Sequence, residues 1–214
     1  MVKAVIFDLD GVILSTDDFH YRAWKQLADR EGITFDREIN ERLRGVSRME
    51  SLAIILERAE KEYTKDEKLE MATFKNDVYR ESLSQLKPAD IFPGVTDFLA
   101  VLKERGIRSA IGSSSKNARF ILERTGMQDA FDAISDGTNI TNSKPDPEVF
   151  LKAAEMMGVA PESCLVVEDA DSGVEAAKAA GMTALGVGPA ASHELADYRA
   201  ENLQNFDLAM LETK

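Results

Sequence analysis

Asp8 and Asp10, in the stretch FDLDGVIL (7–14), stand two positions apart directly after an apolar run. On an extended segment that spacing projects both carboxylates to the same side. Gly11 follows and lets the backbone turn sharply or come close to a ligand. Two like charges held together are unfavourable unless a cation or a shared proton intervenes. Hard Mg²⁺ suits such oxygens, and it also bridges phosphoryl groups. One aspartate can then attack phosphorus to form an aspartyl phosphate while the other moves the proton. A strand end carrying solvated acids is the competing reading, and a D-x-D pair alone does not decide between them.

Three further stretches bear on the choice. IGSSSKN (111–117) ends a second apolar run in three hydroxyls, where backbone N–H groups and a helix N-terminus can hold phosphate; a serine-rich helix cap reads the same way. NSKPDP (142–147) presents Lys144 just before a helix, where an ammonium can neutralise a phosphoryl group or a nucleophile, or simply be solvated. VVEDADSG (166–173) places Glu168 and Asp169 at another strand end, as a second carboxylate pair for a metal or as a helix cap.

The elements that must position these residues follow from hydrophobic patterning. Four short, continuously apolar runs, 3–7, 107–112, 163–168 and 182–187, fit parallel strands covered on both faces. Between them lie stretches with the helical period. Val95, Phe98, Leu99 and Leu102 form one stripe, ended by Gly106. Asp146 and Pro147 read as N-cap and first helical residue of another, with Val149, Phe150, Ala153 and Met157 inward. A third runs over 173–181 and closes at Gly181. This alternation predicts an α/β fold, a Rossmann-like doubly wound parallel sheet with ligands at the carboxyl ends of its strands. The first strand is instead followed by helical stretches at 17–31, 47–61 and 66–86, and 87–94 reads as a return linker. The expectation is a core of 1–14 and 89–214, with an all-α helical cap domain inserted at 15–88.

The chain of 214 residues can bury a sizeable core. Its 38 acids against 26 lysines and arginines give a net charge of −12, which argues against nucleic acid or an anionic membrane as partner. A phosphorylated substrate then needs a local basic site or a metal. The single cysteine, Cys164, allows no internal disulfide. No apolar run approaches the roughly 18 residues of a membrane span, and the N-terminus lacks signal-peptide anatomy, so a cytoplasmic protein is expected. A monomer is the default.

In the inserted segment, His20, Ala23, Trp24 and Leu27 share one helical stripe, which marks His20 and Trp24 as core residues before ligands. Ser47 and Glu50 make a capping box, with Leu52, Ile55, Leu56 and Ala59 continuing the stripe. Arg48 is left unexplained by that box, because an arginine in a first helical turn opposes the dipole unless an anion is near. Leu69, Ala72, Asn76, Tyr79, Leu83 and Leu86 read as a seam that Asn76 interrupts, with Lys75 beside it.

Taken together and in this order, D-x-D-G, the strand-end serine, Lys-Pro and Glu-Asp resemble the haloacid dehalogenase superfamily of phosphotransferases over the whole chain. The resemblance implies Asp8 as nucleophile and Asp10 as general acid/base. It implies Asp8, the backbone carbonyl of Asp10, Glu168 and Asp169 around Mg²⁺, with Ser113 and Lys144 on the transferring phosphoryl group. FDLDGVI followed by Thr16, His20 and Trp24, then GVSR, Lys75-Asn76 and SSSKN, is similar to the branch that interconverts β-glucose 1-phosphate and glucose 6-phosphate. That narrower likeness implies β-glucose 1,6-bisphosphate as activator and intermediate. It also implies Arg48 on the distal phosphate with Ser115, Lys116 and Asn117, Thr16 and His20 near Asp10, and Gly45, Val46, Ser47, Ser51, Lys75 and Asn76 at the sugar. Ser15 and Ala170 depart from the pattern, which often has aspartate and serine there. A sugar-phosphate phosphatase on the same core is the leading alternative. A phosphoaspartate receiver or other binding module is the remaining one, disfavoured by the long insert and by Asp10.

Overall fold

The computed structural model describes residues 1–43, 46–207 and 209. Contacts divide the chain into two compact units, Met1–Ser15 with Lys87–Lys214, and Thr16–Leu86.

The first unit is built on a six-stranded, wholly parallel sheet. Its strands are β1 (Ala4–Phe7), β2 (Arg108–Gly112), β3 (Ala133–Ser135), β4 (Cys164–Glu168), β5 (Thr183–Val187) and β6 (Tyr198–Ala200), in spatial order β3-β2-β1-β4-β5-β6. This is a doubly wound order, with β1 central and the winding reversing beside it. The four expected strands are present within a residue at each start. β3 and β6 were not anticipated, because three-residue edge strands are too short to carry a pattern. Helices α5 (Val95–Glu104), α6 (Ala118–Thr125), α7 (Glu148–Met157) and α8 (Asp171–Ala179) accompany the sheet. Val149, Phe150, Ala153, Ala154 and Met157 of α7 pack with Ala4, Ile6, Ala110 and Val166 in one core cluster. The expected cap of α7 needs correction: the helix begins at Glu148, Pro147 holds the cap position, and Asp146 accepts a 2.9 Å bond from the Glu148 N–H.

The second unit is helical, with α1 (Asp17–Glu31), α2 (Arg37–Glu41), α3 (Arg48–Leu56) and α4 (Lys65–Leu83) around a core that includes Trp24, Leu27, Leu52, Ile55 and Met71. The Ser47–Glu50 capping box is present. α3 stops at Leu56 rather than near 61, and the five-residue α2 was not foreseen. The seam of α4 keeps Ala72, Tyr79, Leu83 and Leu86 of the expected stripe and departs from it at two positions, Leu69 and Asn76. Met71, Ala72, Lys75, Tyr79 and Leu83 are buried, Asn76 is half-buried and Leu69 lies exposed. The polar residue inside the seam is therefore Lys75. No described helix is long and apolar enough to cross a membrane.

Candidate active site

β1 ends at Phe7, paired in register with Ile111 on one side and Val167 on the other. Asp8 continues the ladder, its N–H donating to the Val167 carbonyl at 2.9 Å. The strand-end residues Asp8, Ser113 and Glu168 thus emerge at one edge of the sheet, where parallel α/β sheets bind ligands. Asp8, Glu168 and Asp169 place carboxylate oxygens within 4.8 Å of one another. Lys144 is buried among them, and its Nζ donates to both Asp8 and Glu168.

Two glycines make room for this cluster. Gly11 turns the chain at φ +89°, and a Cβ there would lie 2.1 Å from an Asp169 carboxylate oxygen. Gly173, in the first turn of α8, lies so close to Glu168 that a Cβ would meet its carboxyl at 1.9 Å.

The electrostatics favour a further cation. Burial pushes the Asp169 carboxyl up to about 8, and the charges of Asp8, Glu168 and Asp10 add to the push. Burial likewise raises Glu168, outweighing the pull of Lys144. Burial works against the Lys144 ammonium, but the two carboxylates more than compensate and hold it above the ordinary lysine value. One ammonium shared between two acids leaves a third to be neutralised, and three close carboxylate oxygens are the donor set a hard divalent cation takes. The residues fit Mg²⁺. The Asp10 side chain is not part of this cluster.

The loop after β2 is tied to itself and to the end of β3. Ser113 N–H donates to Ser135 O at 3.1 Å, and Gly137 N–H to Ser115 O at 3.1 Å. Ser113 Oγ accepts from Ser115 N–H and Ser115 Oγ from Asn117 N–H, each at 3.2 Å. Ser113 and Asn117 are buried, while Lys116 is exposed. Sequence reasoning passed over Gly173 and the turn at Asp136–Gly137, since their part depends on contacts that no local pattern carries.

In the helical unit, Lys75 Nζ lies 2.8 Å from His20 Nδ1, and Tyr79 Oη donates to Thr16 Oγ1 at 2.9 Å. The Lys75 ammonium also stands over the rings of Trp24 (4.7 Å) and Tyr79 (4.5 Å). Burial drives the His20 pKa well below the usual histidine value, with Lys75 and Arg48 reinforcing it. Arg48 is half-buried, and desolvation pulls its guanidinium down. Val46 and Ser47 are half-buried, and Ser51 is buried on the inward face of α3. Trp24, read from its helical stripe as a core residue and from the family likeness as a substrate residue, is only 2% exposed and packs in the helical core. Gly45 lies outside the described residues.

The fold and this cluster define a class of phosphotransfer enzyme. The sequence profile of the haloacid dehalogenase-like hydrolases matches residues 2–181, and the chain belongs to that family. Among its relatives, the β-phosphoglucomutase of Bacillus subtilis (strain 168) is 49% identical over 189 residues, 87% of this chain and 84% of that one. The phosphorylated carbohydrates phosphatase of Thermotoga maritima is 34% identical, covering 85% of this chain and 82% of its own. The crystal structure of a β-phosphoglucomutase from Clostridium difficile superposes with a TM-score of 0.93 at 38% identity, over 99% of this chain and 96% of that one.

Proposed function

We propose that the chain is a β-phosphoglucomutase, interconverting β-D-glucose 1-phosphate and D-glucose 6-phosphate through an aspartyl phosphate on Asp8 and a β-glucose 1,6-bisphosphate intermediate. The core chemistry rests on one observation: Asp8 stands at the sheet edge beside Glu168 and Asp169, with Lys144 bonded to it. The choice of a mutase rests on the 49% identical relative.

An Asp8 oxygen attacks a phosphorus of the bisphosphate, and the bond from phosphorus to the sugar oxygen breaks. Asp10 gives its proton to that departing oxygen. In the other half, the O6 hydroxyl of β-glucose 1-phosphate attacks the aspartyl phosphate while Asp10 takes its proton, which frees Asp8 and forms the bisphosphate. The bisphosphate turns end for end before it is cleaved at O1 to give glucose 6-phosphate, so two anion sites are required. Ser113 and Lys144 hold the transferring phosphoryl group; Arg48, Ser115, Lys116 and Asn117 hold the distal one. Mg²⁺, held by Asp8, Glu168, Asp169 and the Asp10 carbonyl, would neutralise charge developing on the phosphoryl oxygens. Val46, Ser47, Ser51, Lys75, Asn76 and Gly45 shape the sugar site, and Thr16 and His20 support the acid/base step. Trp24 acts through packing. The enzyme works as a cytoplasmic monomer.

The phosphatase reading survives on the similarity to the Thermotoga protein. Purified protein with Mg²⁺, β-glucose 1-phosphate and a trace of glucose 1,6-bisphosphate separates the two. Glucose 6-phosphate should accumulate without matching free phosphate. Phosphate release with no isomer would make the enzyme a phosphatase and remove the distal role of Arg48.

A further inference from the structure

Lys144 is held in place by more than its own ion pairs. Its Nζ donates to Asp8 and Glu168 and stands 4.7 Å over the ring of Phe150. Gly112 leaves the space for that ring, since a Cβ there would lie 2.6 Å from Phe150 Cδ1. A lysine stem is long and rotates freely, so its ammonium keeps to one place only if the backbone beneath it is fixed. That backbone is gripped from α7. Glu148, the first residue of the helix, turns its carboxylate back onto the preceding loop. Oε1 accepts from Thr141 N–H at 3.0 Å, and Oε2 accepts from the same N–H at 3.0 Å and from Asn142 N–H at 2.7 Å. The Asn142 amide, then that of Thr141, holds the Glu148 carboxyl below the ordinary glutamate range. On the other side of Lys144, Asp146 N–H donates to Ser143 O at 3.1 Å, and Asp146 Oδ1 accepts from Glu148 N–H at 2.9 Å. The segment 141–148 is thus a loop with its ends fastened together and Lys144 between them. Thr141 and Asn142 are exposed, so water could serve their amides. Burial does not force this clasp; what it adds is a fixed path for the chain.

We infer that Glu148 is a positioning residue for phosphoryl transfer: its carboxylate clasps the amides of Thr141 and Asn142 and so sets the backbone from which Lys144 reaches Asp8 and Glu168. The inference rests on the reading of Lys144 as the ammonium on the transferring phosphoryl group. A misplacement of about 1 Å at a reacting centre can cost on the order of a hundredfold in rate, even when the change is made elsewhere. Phe150 lies in the same helical turn, so the start of α7 addresses Lys144 at both its backbone and its head group. A carboxylate in a first helical turn also favours the helix dipole, and that simpler role predicts a different response. The dipole needs the charge. The clasp needs an acceptor oxygen at the same reach, which glutamine retains.

The experiment compares the wild type, Glu148→Ala, Glu148→Gln and Lys144→Ala with Mg²⁺, β-glucose 1-phosphate and a trace of glucose 1,6-bisphosphate, counting glucose 6-phosphate and free phosphate together. The side-chain NMR signals of Lys144, displaced by the Phe150 ring and assigned by their loss in Lys144→Ala, are recorded alongside. Glu148→Ala should lower kcat about tenfold or more and move the Lys144 signals towards those of a solvated lysine. Glu148→Gln should recover most of both. A kcat of Glu148→Ala within twofold of wild type overturns the inference. So does a loss of kcat with the Lys144 signals unmoved, or a Glu148→Gln no better than Glu148→Ala, since those patterns belong to the helix start and not to the lysine. Turnover of Lys144→Ala within twofold of wild type would instead remove the premise, the role of Lys144 itself. Free phosphate in place of glucose 6-phosphate from the wild type would end the mutase reading and leave the Glu148 comparison intact.

Discussion

A glycine inside a helix ordinarily costs about 1 kcal/mol relative to alanine, so Gly→Ala in a helix is usually stabilising. Gly173 should show the opposite sign. Its missing Cβ is the space that the Glu168 carboxyl occupies, and that carboxyl is pinned by Lys144 and by the Ala170 N–H at 3.0 Å. Gly173→Ala has to displace Glu168, separating it from Lys144 and opening the carboxylate cluster. Lower thermal stability and at least tenfold weaker Mg²⁺ binding are expected; a variant more stable than wild type with unchanged Mg²⁺ affinity would show that Glu168 does not need this space. Much of the site was legible at this scale. Asp8, Lys144, Glu168 and Asp169 each announced themselves by residue type at a strand or helix boundary. The glycines that accommodate them could not be read, because identical residues are sorted only by what lies across the fold.

Among elements, α1 and α4 carry the clearest case of a polar pair within an apolar setting. His20 faces Lys75 at 2.8 Å and stacks near Tyr79, with ring centroids 4.0 Å apart. Burial first, then the Lys75 and Arg48 charges, disfavour the imidazolium, so the folded protein takes up this proton at lower pH than the unfolded chain does. The His20 contribution is complete above the unfolded value of about 6.5 and erodes as the pH falls below it, by at most about 1.4 kcal/mol per pH unit for one proton. Denaturant unfolding measured from pH 7.5 to 5.0 should show this slope, and His20→Asn should flatten it. An unchanged slope in the variant would assign the loss to other groups. The element boundaries show where pattern reading works. Capping chemistry located the start of α3 correctly, since the cap is a local interaction between Ser47 and Glu50. The polar position in the seam of α4 was assigned to Asn76 because a lysine was not counted as an inward residue, although the buried Lys75 ammonium is received by aromatic rings and a histidine.

For the whole molecule, a net charge of −12 is a uniform influence that no single pair offsets. Self-repulsion of this kind disfavours the compact state and is screened as the Debye length shrinks from about 30 Å at 0.01 M salt to about 8 Å at 0.15 M. Raising NaCl over that range should therefore raise the melting temperature by a few degrees, corresponding to about 1 kcal/mol in a chain of this size. A decrease would mean that screened ion pairs, such as Arg58–Asp36 and Arg42–Glu57, outweigh the global repulsion. The doubly wound class, though not the strand order, was readable from four buried strands, because burial on both faces leaves an unbroken apolar signature. The outer strands lack that signature and entered only through their pairing.

The position of β1 also has a bearing on how the protein is made. The strand that presents Asp8 is translated well before its two neighbours, which begin at Arg108 and Cys164. At synthesis rates of about 5–20 residues per second, β1 waits roughly 5–20 s for the first of them and longer for the second. The segment Thr16–Leu86 is translated in that interval and can assemble its own helical core meanwhile. The strand that presents Asp8 is thus made before both of its neighbours, and the carboxylate cluster exists only once Glu168 and Asp169 have been added.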